Sequence, residues 1–288
     1  MAKPTFRILT AFIRNLSVFA VHTFKVFNSK FKSAKPLSKR AYLFIAVPVV
    51  AIMIICYGYF IPSSPVFGKV YSKGVTSDKL IALTFDDGPN DPYTSQILDE
   101  LEKADVNATF FLIGGNVVLA PNTVKRMLND GDVIGNHSYS HNANHALYPN
   151  AYKDINQAEL AIEQVAGVAP HLYRPPHGKK SPWELANIKK LGLVDIMWDI
   201  STNELNGRTP QAMADDLVSK AKPGAIIDIH DGYGLDHNTV KSDKRKTVQM
   251  VPIIIQELEA KGYTFVTNPE LFNIPAYNIS SGQIQAVK

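Results

Sequence analysis

This chain has a single cysteine, Cys56, and it lies inside an apolar run. Its folded part cannot form a disulfide within itself and must be held by its core alone. Acidic residues are missing from the start of the chain, where none precedes Asp78. The same stretch is rich in cations: Lys3, Arg7, Arg14, Lys25, Lys30, Lys32, Lys35, Lys39 and Arg40 fall within residues 1–40. Of 30 basic and 26 acidic residues, these nine belong to the arm, which leaves 21 against 26 and a net of −5 for the remainder. The overall net charge of +4 is therefore a property of the arm. A mildly acidic folded part excludes a nucleic-acid partner argued from bulk basicity.

Charge is also absent from Leu43 to Ile61, a run of 19 residues, where about 20 are needed to cross a bilayer core. Lys39 and Arg40 directly precede it, so the positive-inside rule keeps the N-terminus in the cytoplasm and exports the C-terminal part. A cleaved signal peptide has a shorter apolar core, and Tyr57-Gly58-Tyr59-Phe60-Ile61-Pro62 is a poor cleavage site. Pro48 and the flanking charges also suit a membrane span better than a buried core helix. We expect a basic cytoplasmic arm at 1–40 and an uncleaved single-pass anchor at 41–61 in an inner or cytoplasmic membrane. The arm alternates cations with Phe6, Phe12, Phe19, Phe24, Phe27 and Phe31, which suits an interfacial helix on anionic lipid or a loosely ordered tail. Cys56 is most simply a membrane-facing hydrophobe.

Residues 62–76 are rich in Pro, Ser and Gly and read as a linker. Beyond them apolar runs alternate with helical patterns. Strands are expected at 81–85, 109–113, 133–136, 172–174, 194–200, 225–230 and 264–267, with helices near 94–104, 121–130, 152–166, 182–191, 210–221 and 247–261. Ser181-Pro182-Trp183-Glu184 reads as a capping box and Thr209-Pro210 as a cap followed by Pro. Strict alternation implies a parallel sheet, and about seven units suggest a distorted (β/α) barrel. The domain is expected at 77–268, followed by a loose tail at 269–288 without periodicity.

In such barrels chemistry gathers at the C-terminal ends of strands. Asp86, Asp87, His137, Arg174, Asp199 and His230 all fall at or just beyond expected strand ends. Thr84-Phe85-Asp86-Asp87-Gly88-Pro89 supplies two carboxylates, one able to bind a metal while the other faces the water. By itself the segment is also good turn chemistry. His137-Ser138-Tyr139-Ser140-His141 supplies two imidazoles at i, i+4, on one helical face or in a compact turn. His145 extends the spacing as a rival ligand. Together the segments offer three ligands and a further carboxylate, which a hydrolytic mononuclear metal site requires. Trp183 reads as packing, and Trp198 as a core aromatic or a wall of the site. Gly232–Lys246 is a polar loop able to contact a polymer or to lie solvated.

This combination resembles the polysaccharide deacetylases of the NodB-like type, carbohydrate esterase family four, from about Leu80 to Phe265. Thr84–Pro89 matches the first family motif throughout and His137–His141 the second, His-Ser/Thr-x-x-His. Arg174-Pro175-Pro176-His177-Gly178 is similar to the third, usually Arg-Pro-Pro-Tyr-Gly. Ile227-Asp228-Ile229-His230-Asp231 is similar to the last, which normally ends Leu-x-His. The resemblance implies that Asp87, His137 and His141 hold a divalent metal, zinc by preference with cobalt or manganese tolerated. It further implies Asp86 as the base that takes a proton from the attacking water, Arg174 as its support, and His230 as the acid that protonates the departing amine. It implies too an oxyanion held between the metal and a backbone N–H near His177, with Pro176 and His177 bordering the substrate.

Trp198–Leu205 aligns with a segment usually read Trp-x-x-Asp-x-x-Asp-Trp. Glu204 stands where an Asp supports the acid histidine, Leu205 replaces a Trp of the acyl-methyl wall, and Ser201 replaces the other Asp. Asp228 occupies the position of a Leu in that wall. It is free either to pair with His230, which shares its face of the strand, or to bond a neighbouring loop. The expected activity is removal of N-acetyl groups from an amino-sugar polymer, peptidoglycan or another N-acetylglucosamine polymer. The alternatives are a catalytically silent glycan-binding module and a hydrolase of another carbon–nitrogen bond.

Overall fold

A computed structural model describes residues 38–202, 204, 207–235 and 242–278. The chain divides into two compact units, Met1–Ile52 and Met53–Lys288. The described part of the first, with the opening residues of the second, is a helix, α1 (Lys39–Phe60), with Pro48 inside it. Its Tyr42–Phe60 stretch has a mean hydropathy of 2.4 and is long and apolar enough to cross a membrane. The arm at 1–37, within which every arm phenylalanine falls, lies outside the described residues.

The second unit is built on a parallel sheet in the order β6-β5-β3-β2-β1-β8-β7, with β9 also paired to β1. Its strands are β1 (Leu80–Asp86), β2 (Thr109–Leu112), β3 (Val133–Asn136), β5 (Leu172–Tyr173), β6 (Val194–Asp195), β7 (Ile200–Ser201), β8 (Ala225–His230) and β9 (Thr264–Phe265), while β4 (Ala169–Pro170) and β10 (Tyr277–Asn278) form a separate antiparallel pair. The end strands β6 and β7 are not paired to each other among the described residues, so the barrel is a curled half-barrel. β1 is central and buried along almost its whole length, which explains an apolar run without alternation. Its odd-numbered residues Ile81, Leu83 and Phe85 join the main core. That core includes Ile97, Leu98 and Leu101 of α2 (Tyr93–Ala104) and Met250, Ile254 and Leu258 of the helix Arg245–Ala260. Each such side chain contributes roughly 1.5–3 kcal/mol on burial, the stabilisation that a cysteine-free domain depends on.

Helix boundaries follow local chemistry. Thr209 Oγ1 accepts the N–H of Ala212, with Pro210 in the first turn. Ser181 Oγ accepts the N–H of Glu184 at the start of Pro182–Lys190. The expected capping box there is only half formed, because the Glu184 side chain turns inward to His145 and Tyr173. A complete capping box occurs instead at Thr267 and Glu270.

Three sequence expectations are corrected. The strand at 194–200 is two short strands, because β6 pairs with β5 and β7 with β8, and between them Ile196 and Met197 turn to the backbone of Tyr71. The segment 269–278 is not loose: Asn268–Phe272 is helical, and Tyr277–Asn278 pairs antiparallel with Ala169–Pro170. Residues 279–288 lie outside the described residues. The linker at 62–76 packs on the domain. Ser64 is fully buried, Tyr71 bridges Ile196, and Gly74 N–H donates to Gly224 O. The buried Lys180 Nζ donates to the carbonyls of Ile61 at 2.6 Å and Pro62 at 2.7 Å. Pro, Ser and Gly serve a docked loop as well as a free one, and composition does not separate the two.

Candidate active site

Strand register assembles the site. Asp86, the last residue of β1, lies beside His230, the last of β8, and Thr84 lies beside Asp228. Asn136 of β3 pairs with Tyr173 of β5, so the next residues along, His137 and Arg174, are also neighbours. His137 Nδ1 donates to Arg174 O at 2.7 Å, which fixes the tautomer and turns Nε2 towards the carboxylates. All these groups emerge at the C-terminal edge of the sheet.

Asp87 turns away from its neighbour because its backbone is left-handed, φ 79°. Asn116 Nδ2 holds its carbonyl at 2.9 Å. The following residue must be glycine, since a Cβ on Gly88 would come within 2.0 Å of Asp231 Oδ2. His137–His141 is the compact turn rather than a helical face: Ser138 and His141 have positive φ, and Ser138 Oγ accepts the N–H of His141. Asp87, His137 and His141 thereby offer ligand atoms within 4.8 Å of one another.

Asp87 Oδ1 lies 3.5 Å from His137 Nε2 and 3.1 Å from His141 Nε2, yet it is buried without a hydrogen-bond partner. An orphaned buried carboxylate oxygen between two imidazole nitrogens fits a divalent cation. Burial raises the Asp87 carboxyl, but the surrounding imidazoles of His137, His141 and His230 overcome it and hold it well below the usual carboxylate range. Burial lowers His141 to about 3, against the pull of Asp87, so its nitrogen is free of a proton at neutral pH. Burial also depresses His137, but Asp86 and Asp87 reverse this and raise it. The negative field that draws a proton there equally draws a metal ion.

Arg174 is fully buried between the rings of Phe111 and Trp198. Its Nη1 donates to Asp86 Oδ1 at 2.7 Å, Thr84 Oγ1 at 2.8 Å and Asp228 Oδ1 at 3.0 Å. Asp86 Oδ2 is left 3.7 Å from His137 Nε2. On the other side, His230 Nδ1 lies 3.0 Å from Glu204 Oε1, whose second oxygen meets Lys244 Nζ at 3.2 Å. Burial pushes the His230 imidazole down, but Glu204 with Asp228 pushes it up to about 10. Burial and the adjacent Asp86 raise Asp228, against Arg174.

A cavity of about 750 Å³ opens over these groups, lined by Asp86, Asp87, His137, His141, His177, Trp198, Ser201, Glu204, Asp228, His230 and Lys244, among others. The structure thus brings together Asp86, Asp87, His137, His141, Arg174, Glu204, His230, His177 and Asp228. Asp228 meets Arg174 and not a neighbouring loop, while Glu204 takes Nδ1 of His230. Pro176 is buried outside the lining, and Leu205 lies outside the described residues. His145 is no ligand, being buried against Glu184 and Tyr173. Trp183 is 42% exposed, and its Nε1 donates to Ala146 O.

Sequence reasoning missed Asn116, Asp231 and Lys244. Asp231 follows His230 and accepts from Thr94 Oγ1 at 2.6 Å. Lys244 was counted with the cations of a polar loop, but it is buried on Glu204. Nothing local distinguishes either residue from a solvated neighbour.

Residues 73–196 match the polysaccharide deacetylase family. A peptidoglycan-N-acetylglucosamine deacetylase of Bacillus cereus is 35% identical over 193 residues, covering 67% of this chain and 68% of the relative. The peptidoglycan-N-acetylmuramic acid deacetylase PdaC of Bacillus subtilis is 37% identical over 196 residues, covering 68% of this chain. The match spans only 39% of PdaC. Among solved structures, the Bc1960 peptidoglycan N-acetylglucosamine deacetylase in complex with a naphthyl N-hydroxybenzamide aligns with a TM-score of 0.67 and 32% identity, covering 73% of this chain and 95% of that one.

Proposed function

This chain belongs to the polysaccharide deacetylase family, and on that premise we propose that it is a metal-dependent N-deacetylase of peptidoglycan, held in a membrane by α1. The observation that carries the chemistry is the convergence on one cavity of an orphaned carboxylate with two imidazoles, an arginine-held carboxylate and a glutamate-held histidine.

Asp87, His137 and His141 would hold a divalent cation, zinc by preference, which would supply Lewis acidity to the site. Asp86, with one oxygen fixed by Arg174, accepts the proton of the attacking water on the other. The oxygen–carbon bond forms and the carbon–nitrogen bond breaks. An amine leaves poorly unless protonated, and His230, with Nδ1 held by Glu204, delivers a proton from Nε2 to the departing nitrogen. The products are acetate and a free amino sugar.

Peptidoglycan as substrate is supported by what the relatives act on. Anchoring is supported by the length and hydropathy of α1 and by Lys39 and Arg40 before it. By the positive-inside rule the N-terminus stays in the cytoplasm and the catalytic domain lies outside. The test is acetate release from peptidoglycan and from N-acetylglucosamine oligomers by the full chain in detergent, with zinc, after metal removal, and with Asp86→Asn. Metal-dependent release abolished by the substitution supports the proposal; no release from folded, zinc-loaded protein refutes it.

A further inference from the structure

The resemblance puts an aspartate at position 201 and a leucine at position 228, and this chain has Ser201 and Asp228 instead. In the sheet these two positions face each other directly, Ser201 of β7 being the register partner of Asp228 of β8. One carboxylate is missing from a strand and one is present on the adjoining strand at the same level. Its partner is known: Asp228 Oδ1 accepts from Arg174 Nη1 at 3.0 Å. We propose that Asp228 is a relocated positioning residue, supplying from β8 the carboxylate that position 201 lacks and holding Arg174, and through it Asp86, in working geometry.

The need for a second carboxylate follows from the arginine. Arg174 is fully buried. It spends Nε on Ile196 O and Nη2 on Met197 O, and Nη1 alone faces Asp86. Planar guanidinium groups favour two-pronged pairing with a carboxylate. With Nε and Nη2 committed to carbonyls, that pairing is closed to Asp86, and Nη1 is its point of attachment. Asp228 pulls on the same nitrogen from the neighbouring strand. Asp86 therefore keeps one oxygen on Arg174 and the other towards His137, where a general base must present it. Thr84 Oγ1 completes the arrangement by accepting from Nη1 and donating to Ile227 O.

This role rests on Asp86 being the base of amide hydrolysis, so the test carries one readout that depends on activity and one that does not. Asp228→Leu, Ser201→Asp and the double variant are made in the full chain. The kcat and KM for acetate release from N-acetylglucosamine oligomers are measured, together with the unfolding temperature of the metal-free protein. We expect Asp228→Leu to lower kcat by about 10- to 100-fold, leave KM little changed, and lower the unfolding temperature by several degrees. Adding Ser201→Asp should recover both, because the charge returns to the arginine from the other strand. Should Asp228→Leu fail to fold, Asp228→Asn, with and without Ser201→Asp, makes the same comparison. Full kcat and unchanged stability in the single variant overturn the proposal, as does a double variant as impaired as the single one. If the wild type releases no acetate, the failure belongs to the functional assignment, and recovery or non-recovery of the unfolding temperature decides the relocation.

Discussion

Glu204→Gln isolates the charge that tunes His230. Glu204 Oε1 lies 3.0 Å from His230 Nδ1, a separation at which Coulomb attraction is about 5 kcal/mol at an effective dielectric constant near 20. Two features reduce that. The His230 side chain is 38% exposed, and Lys244 Nζ at 3.2 Å takes part of the charge on Glu204. A shift of roughly 1–3 pKa units is left, the range for an opposite charge in contact. Gln keeps an acceptor for the Nδ1 proton and removes only the charge. The proposed role of His230 as the acid makes the rate fall as pH rises through its pKa, which this environment pushes up to about 10. In Glu204→Gln that alkaline limb should move down by roughly 1–3 units, towards neutrality, while the rate below pH 6 changes little. The assay is kcat for acetate release between pH 5 and 10 in matched buffers. An alkaline limb unmoved by the substitution refutes the assignment of His230 as an acid tuned by Glu204.

Asp86→Asn should lower kcat by about 10²- to 10⁴-fold, the usual worth of a general base, with zinc binding by calorimetry retained. Metal binding to the native fold alone should stabilise it by about 2.7 kcal/mol at a hundredfold excess over Kd; thermal unfolding with and without zinc reads this, and Asp87→Asn should remove most of the gain. Lys180→Met should destabilise the domain by about 1–3 kcal/mol, because two carbonyls lose their donor and Asp195, whose carboxylate oxygens have no hydrogen-bond partner, loses a nearby cation; chemical denaturation measures it, and the kcat on soluble oligomers should be unchanged. A cysteine at the fully exposed Val75, in a Cys56→Ser background, should react with a membrane-impermeant maleimide added outside intact cells; labelling only after lysis would refute the proposed orientation.

The sequence is most transparent where structure is made locally. The apolar run of β1 and the Pro-led helices are legible in short segments. The gathering of Asp87, His137 and His141 is legible for the same reason, because each motif sits at a strand end and parallel strands deliver their ends to one edge. What escapes depends on partners far along the chain. Glu184 satisfies the local rule for a capping box, yet its side chain answers to His145, 39 residues away. Asp228 shares a strand face with His230, yet it bonds Arg174, 54 residues away, because Glu204 already holds the histidine. Residues 61–76 and 268–278 lack periodicity because their contacts are with the domain surface, which imposes no repeat on the chain.

The grip of Lys180 on Ile61 and Pro62 changes what kind of anchored enzyme has been proposed. A free linker of fifteen residues would act as a leash of at most roughly 50 Å and let the catalytic mouth search a volume. With Ser64 buried and Tyr71 and Gly74 bonded to the domain, that leash is already wound in. Its residues are then spent on the domain's own surface and cannot also be counted as reach.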